Sequence, residues 1–185
     1  MTKWRMLVVV AILGVLVITY TMAELDKGYE RFTHLLRETD YQALLKACRE
    51  LPQRVAAGDL EAKTYVLRYN MSRVVWRRRP APEAASFPKA VLDLDPVLVE
   101  INRDGRVWVA LTVSPAREGV FAYPENYLAP RDSLGKVELI PGLWFWDDGY
   151  EPGVRPERVR LVDELIQEGK ELQRSIGKGE PNCGN

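Results

Sequence analysis

Val97-Leu98-Val99-Glu100-Ile101, Asn102-Arg103-Asp104-Gly105 and Val107-Trp108-Val109-Ala110-Leu111-Thr112-Val113 form two β-rich runs around an Asp-Gly turn. Gly accepts a positive φ without steric cost, so Asp-Gly between such runs predicts a β-hairpin. Side chains alternate across a strand. Val97, Val99 and Ile101 therefore share one face, and Val107, Val109, Leu111 and Val113 share one face with Trp108 opposite.

Downstream the extended character continues. Gly119–Tyr123 predicts a third strand, closed by Pro124, and Pro130, Asp132 and Gly135 mark a loop. Lys136–Ile140 reads as a strand, Pro141-Gly142 as a turn, and Leu143–Trp146 as renewed extended structure ended by Asp147–Tyr150. Pro156–Ile176 then switches to helical spacing, with Val159, Val162, Leu165, Ile166, Leu172 and Ile176 on one side and Gly177 as the stop.

Upstream, Ser86-Phe87-Pro88 opens a short helical turn through Leu92. Lys63–Arg79 fits both a strand (Tyr65, Leu67, Tyr69, Met71) and a helical stripe (Leu60, Thr64, Leu67, Met71, Val74). Its aromatic and β-branched content favours the strand. Leu25, Tyr29, Phe32, Leu35 and Leu36 predict a helix over Glu24–Arg37. Thr39-Asp40-Tyr41-Gln42 has the form of a capping box and starts a second helix to about Leu51. Pro52 and Gly58 mark its end or a short extension. Helices, a run of antiparallel strands and a final helix make an α+β pattern.

Residues 6–23, MLVVVAILGVLVITYTMA, carry no charge and follow Lys3 and Arg5. Roughly eighteen helical residues span about 27 Å, close to the ~30 Å hydrocarbon core. Trp4 and Tyr20 lie near its ends, where amphipathic rings favour headgroups. The segment predicts an uncleaved signal anchor with the N-terminus cytoplasmic and the domain on the extracytoplasmic side. The alternative is a cleaved signal, with Thr21-Met22-Ala23 as the cleavage site and a secreted product. The apolar stretch is long for a signal peptide, which favours the anchor. The resulting organisation is a basic N-terminus (1–5), a transmembrane helix (6–23), a helical segment (24–58), an α+β domain (59–177) and a flexible tail (178–185).

The chain has 185 residues, leaving about 160 beyond the anchor, enough for one domain with a real core. Lys+Arg 26 balance Asp+Glu 26, which removes the electrostatic reason to expect nucleic acid. His34 is the single histidine, which weighs against His-rich metal sites and His-dependent catalysis. No cofactor motif, nucleophile elbow, P-loop or zinc motif is present. Cys48 reads as a core thiol and Cys183 as a tail thiol, with a disulfide between them as the alternative.

The sharpest local constellation is Trp144-Phe145-Trp146-Asp147-Asp148-Gly149-Tyr150. Aromatic faces beside carboxylates can hold a sugar or a cation, and paired carboxylates can do acid–base work. Trp144, Trp146, Asp147, Asp148 and Tyr150 are therefore the candidate ligand-binding residues. The competing reading is a half-buried strand followed by a carboxylate-rich turn, with Trp144 and Trp146 on one face and Phe145 on the other. A Ca²⁺ site using Asp147, Asp148 and Glu151 lacks EF-hand spacing. Asp93 and Asp95, flanking Leu94 before Pro96, read as turn formers. Arg73, Arg77, Arg78 and Arg79 read as a solvated basic edge, or as a contact for anionic headgroups. Asn70-Met71-Ser72 is a formal glycosylation sequon.

The expected function is a single-pass membrane-anchored protein whose small α+β domain acts in binding or assembly. Its expected partners are the bilayer, through the N-terminal helix, and a protein at the membrane surface. The alternative is an exported cell-envelope or carbohydrate-acting enzyme using Asp147 and Asp148.

Overall fold

The computed structural model describes residues 12–16, 19, 30–68, 82–113, 117–125, 127, 135–148, 150 and 155–178. Helix α1 occupies residues 30–38 and ends in a π-helical stretch, His34–Glu38. Helix α2 (Tyr41–Ala56), strand β1 (Thr64–Val66), a 3₁₀ turn (Pro82–Ser86) and helix α3 (Lys89–Leu92) follow. Strands β2 (Leu98–Ile101), β3 (Val107–Val113), β4 (Arg117–Ala122), β5 (Lys136–Ile140) and β6 (Leu143–Asp147) precede helix α4 (Pro156–Lys178). The predicted α+β class is correct. The six strands form one antiparallel sheet in the order β1-β2-β3-β4-β6-β5.

The Asp-Gly hairpin forms as predicted. Ile101 pairs with Val107, Gly105 takes φ 83°, and Asp104 Oδ1 accepts from the Arg106 amide at 3.1 Å. One register row crosses all six strands: Tyr65, Val99, Val109, Val120, Phe145 and Val137. All but Val137 are buried, and Val137 packs against their cluster. This row faces the helices, and α2 lies across β3, β4 and β5. Phe32 of α1 meets Phe145 with ring centroids 5.5 Å apart.

Several boundaries differ from expectation. The cap of α2 is Asp40, not Thr39: Asp40 Oδ1 accepts from the amides of Gln42 (2.9 Å) and Ala43 (3.0 Å). Thr39 instead closes the π-helical stretch, its Oγ1 and its amide both donating to the His34 carbonyl. Helix α2 takes the short extension, continuing through Pro52 to Ala56, because Leu51 is buried and Val55 packs against the core. The strand expected over Lys63–Arg79 is Thr64–Val66 among the described residues; residues 69–81 lie outside them. Helix α4 runs one residue past Gly177, and Leu172 is exposed at 37% rather than buried. Val162, Leu165 and Ile166 carry its packing.

Gly169 sits in the interior of α4, where Gly costs about 1 kcal/mol relative to Ala. The reason is close approach, since a Cβ there would collide with the Leu36 carbonyl and the Tyr41 hydroxyl. Tyr41 donates its hydroxyl to that same carbonyl, and burial raises its pKa. Gln173, one turn further on, donates to the Thr39 carbonyl (2.9 Å) and accepts from the Tyr41 amide (3.2 Å). Gly169→Ala should therefore destabilise the domain by about 1–3 kcal/mol despite the better helix propensity. A urea midpoint equal to or above that of the parent chain would contradict this account of α4.

Among the described residues no helix is long and apolar enough to cross a membrane. Of the expected span 6–23, residues 12–16 and 19 are described and are helical. Ile12, Leu13, Val15 and Leu16 of that stretch are exposed at 55–63%. Cys48 is a free thiol, fully buried, with its pKa pushed up to about 12 by burial. Cys183, the sequon at Asn70 and Arg73, Arg77, Arg78 and Arg79 lie outside the described residues.

Candidate functional site

Strand alternation splits the Trp-Phe-Trp-Asp-Asp motif between the two faces of the sheet. Leu143, Phe145 and Asp147 point to the helices and are 0% exposed. Trp144 and Trp146 point to the outer face and are half-buried. The second register row, Glu100, Trp108, Phe121, Trp144 and Glu138, runs across that outer face.

The outer face is an aromatic sheet surface. Trp108 and Phe121 lie 9° from parallel at 5.7 Å, and Phe121 meets Trp146 at 5.4 Å. Phe121 also reaches Tyr123 at 6.2 Å, and Tyr123 stacks on Tyr127 at 4.8 Å. Lys136 Nζ stands 4.8 Å above Trp146 and 5.3 Å above Phe121, while Arg106 lies 5.7 Å above Tyr127. Burial and the nearby Arg106 lower the pKa of Lys136. Toward β1 the same face holds a small buried cluster of Val66, Val97, Leu98 and Ala110. The indole N–H groups of Trp108 and Trp144 are buried and meet no acceptor among the described residues.

Asp147 and Asp148 do not act as a pair. Asp148 sits in the turn after β6, where Oδ1 accepts from Trp146 Nε1 at 2.6 Å and Oδ2 from the Arg117 amide at 3.2 Å. It fixes the Trp146 indole. Asp147 Oδ2 accepts from Arg158 Nε at 2.7 Å on the opposite face. Tyr150 donates to Asp163 Oδ1 at 3.1 Å and packs against the core. Of the five candidate residues, Trp144, Trp146 and Asp148 lie together, Asp148 through its bond to the Trp146 indole, while Asp147 and Tyr150 lie elsewhere.

The carboxylate that faces Asp147 is Glu118, its cross-strand partner. Arg158 Nη2 donates to Glu118 Oε1 at 2.5 Å, and its guanidinium lies 4.3 Å over the Phe32 ring. An irregularity in β3 between Ala110 and Thr112 brings Thr112 opposite Glu118, to which its hydroxyl donates at 3.4 Å. Two carboxylates thus share one guanidinium. Burial raises the Glu118 pKa, and Asp147 adds to the rise, while Arg158 and the hydrogen bonds oppose it. The sign follows from linkage. A carboxyl whose folded pKa is raised contributes stability present below its unfolded value and lost as pH rises through the folded one. Glu118→Gln should therefore gain stability relative to the parent as pH rises above about 4.3, the ordinary glutamate value. Urea midpoints of both proteins between pH 4 and 8 test this; a difference independent of pH would contradict it.

Comparison with known protein families, with curated proteins and with solved structures found no match to this chain. The site must be read from its own chemistry. Sequence reasoning missed Trp108, Phe121, Tyr123, Tyr127, Lys136 and Arg106 as neighbours of Trp144 and Trp146. Their shared parity on paired strands was a readable signal, but the strand order was not.

Proposed function

We propose that this chain is a single-pass membrane-anchored binding module. Its N-terminus is cytoplasmic, and its α+β domain works on the extracytoplasmic side through the outer face of the sheet. Residues 6–23 supply the anchor. The exposed Ile12, Leu13, Val15 and Leu16 support this, because contiguous bare apolar residues seek lipid or a partner. The basic residues before the segment favour a cytoplasmic N-terminus.

The observation that carries the binding reading is the aromatic face itself. Protein interfaces concentrate their energy in Trp, Tyr and Arg near the centre, with polar groups at the rim. Here Trp108, Phe121, Trp144 and Trp146 form the centre, with Arg106, Lys136, Glu100 and Glu138 among them or beside them. The mixed charges suit a protein surface better than a polyanion. The catalytic alternative loses its paired acids, because Asp147 is sealed against Arg158 and Asp148 holds Trp146.

The test is photo-crosslinking in intact cells from a reactive residue at position 144, compared with one at Glu164 on the exposed side of α4. A discrete adduct from position 144 alone, weakened by Lys136→Glu, is the expected result. Equal labelling from both positions, or none from 144, would remove the outer face as the contact surface.

A further inference from the structure

Strand β5 closes one edge of the sheet, and its only strand neighbour among the described residues is β6. The direction of its main-chain groups follows from bonds on its inner side. The Asp147 amide donates to the Gly135 carbonyl at 2.9 Å, so these opposed residues, next in register after Lys136 and Trp146, form a hydrogen-bonded pair. Residues of an antiparallel strand turn their N–H and C=O groups alternately to one neighbour and to the other. Val137 therefore bonds inward to β6, while Lys136 and Glu138 turn both main-chain groups outward. The next ladder agrees. The amides of Tyr123 and Asp148 donate to the Gly142 and Arg117 carbonyls, which turns the even-numbered residues of β6 toward β4 and the odd-numbered ones toward β5.

Outward main-chain groups on a sheet edge are a template for another strand. The two edges of this sheet differ. On β1, Tyr65 and Val66 are buried. On β5, Val137 is half-buried, although it ends a register row whose other members are all buried. A register irregularity between Glu138 and Ile140 interrupts the regular edge and leaves residues 136–138 as the pairable stretch.

The side chains flanking Val137 carry opposite charges. The Lys136 ammonium stands over the Trp146 ring, and Glu138 is exposed. Neither has an ion-pair partner among the described residues. Outward-turned residues bond only to outward-turned residues, so an antiparallel match of this stretch with itself has three registers. Centring it on Lys136 or on Glu138 sets like charges opposite each other and makes one hydrogen-bonded pair. Centring it on Val137 sets Lys136 opposite Glu138 twice and makes two such pairs.

We propose that the chain pairs with a second copy of itself through β5, antiparallel, with the two-fold axis at Val137. Such an interface is self-complementary, as a closed dimer requires. Opposite charges facing each other across strands support the pairing, and like charges oppose it. Val137 then faces its own counterpart, which covers its exposed part and carries the core row into the second copy. Both outer faces lie on one side of the joined sheet. The proposal does not rest on any role for that face.

The test uses the purified full chain in non-ionic detergent, in a Cys183→Ser background, at several ratios of detergent to protein. Val137→Cys should give a covalent dimer on mild oxidation, because opposed residues of a non-hydrogen-bonded pair have Cα atoms about 4.5 Å apart, within disulfide range. Thr64→Cys, on the β1 edge, should not. In sedimentation equilibrium, Lys136→Glu and Glu138→Lys should each raise the dimer Kd about tenfold, since either change sets two like-charged pairs across the axis. The double exchange should return the Kd close to that of the parent, and all three variants should keep the parent's far-ultraviolet dichroism. A parent chain that stays monomeric, association indifferent to the single exchanges, a double variant no tighter than the singles, or equal crosslinking from Thr64→Cys would overturn the proposal. No other protein is present in this experiment, so its failure leaves the photo-adduct expected from position 144 untouched.

Discussion

Arg158→Met is expected to destabilise the domain by about 3–5 kcal/mol, the cost of removing one partner from a buried ion pair. Arg158 joins three elements. Its Nε bonds Asp147 of β6, its Nη2 bonds Glu118 of β4, and its guanidinium covers Phe32 of α1. Met keeps much of the apolar contact with Phe32 but removes the guanidinium that the two neighbouring carboxylates share. Asp147 is 0% exposed, so water does not relieve it. The loss should therefore shrink when the acids are neutralised with it. The triple variant Glu118→Gln, Asp147→Asn, Arg158→Met should recover most of the stability in urea. If the triple variant is as unstable as the sum of its parts, uncompensated charge is not the cause.

Phe145→Ala is expected to cost a similar amount, about 3–5 kcal/mol, because it leaves a cavity the fold cannot close. Phe145 lies in the register row between Val120 and Val137, is fully buried, and meets Phe32 across the helix–sheet interface. Strands on both sides hold the backbone in place, so collapse around the hole is limited. Trp144→Ala, one residue away, makes the contrast. Its ring is half-buried on the outer face, and its loss should cost clearly less stability. Equal stability losses at the two positions would contradict the division of the motif between core and contact surface.

That division follows from a period of two, which is why part of it was legible in the chain. Phe145 inside with Trp144 and Trp146 outside needs nothing beyond alternation. The same count carried one residue further places Asp147 inside, yet Asp147 reads in sequence as the neighbour of Asp148. The missing information was Arg158, eleven residues on and in another element, which makes burial of that carboxylate tolerable. The Val97–Val113 hairpin was equally legible, because its turn and its pattern are local. The insertion of β6 between β4 and β5 was not: pairing order depends on which edges meet after collapse, and no single strand encodes it. Helix limits shifted for local reasons as well. Asp40 outcompeted Thr39 as the cap, since the Thr39 hydroxyl was drawn back to His34. The ion pair between Arg31 and Asp95 was invisible, because Asp93-Leu94-Asp95-Pro96 resembles an ordinary turn until α1 is packed beside it.

The central claim is that the domain works while tethered to a bilayer by residues 6–23. The most direct measurement is the intact mass of the chain recovered from alkali-washed membranes of cells that make it. The full chain, 21.1 kDa, is expected in the membrane pellet. A chain beginning at Glu24 and recovered in the soluble fraction would contradict it.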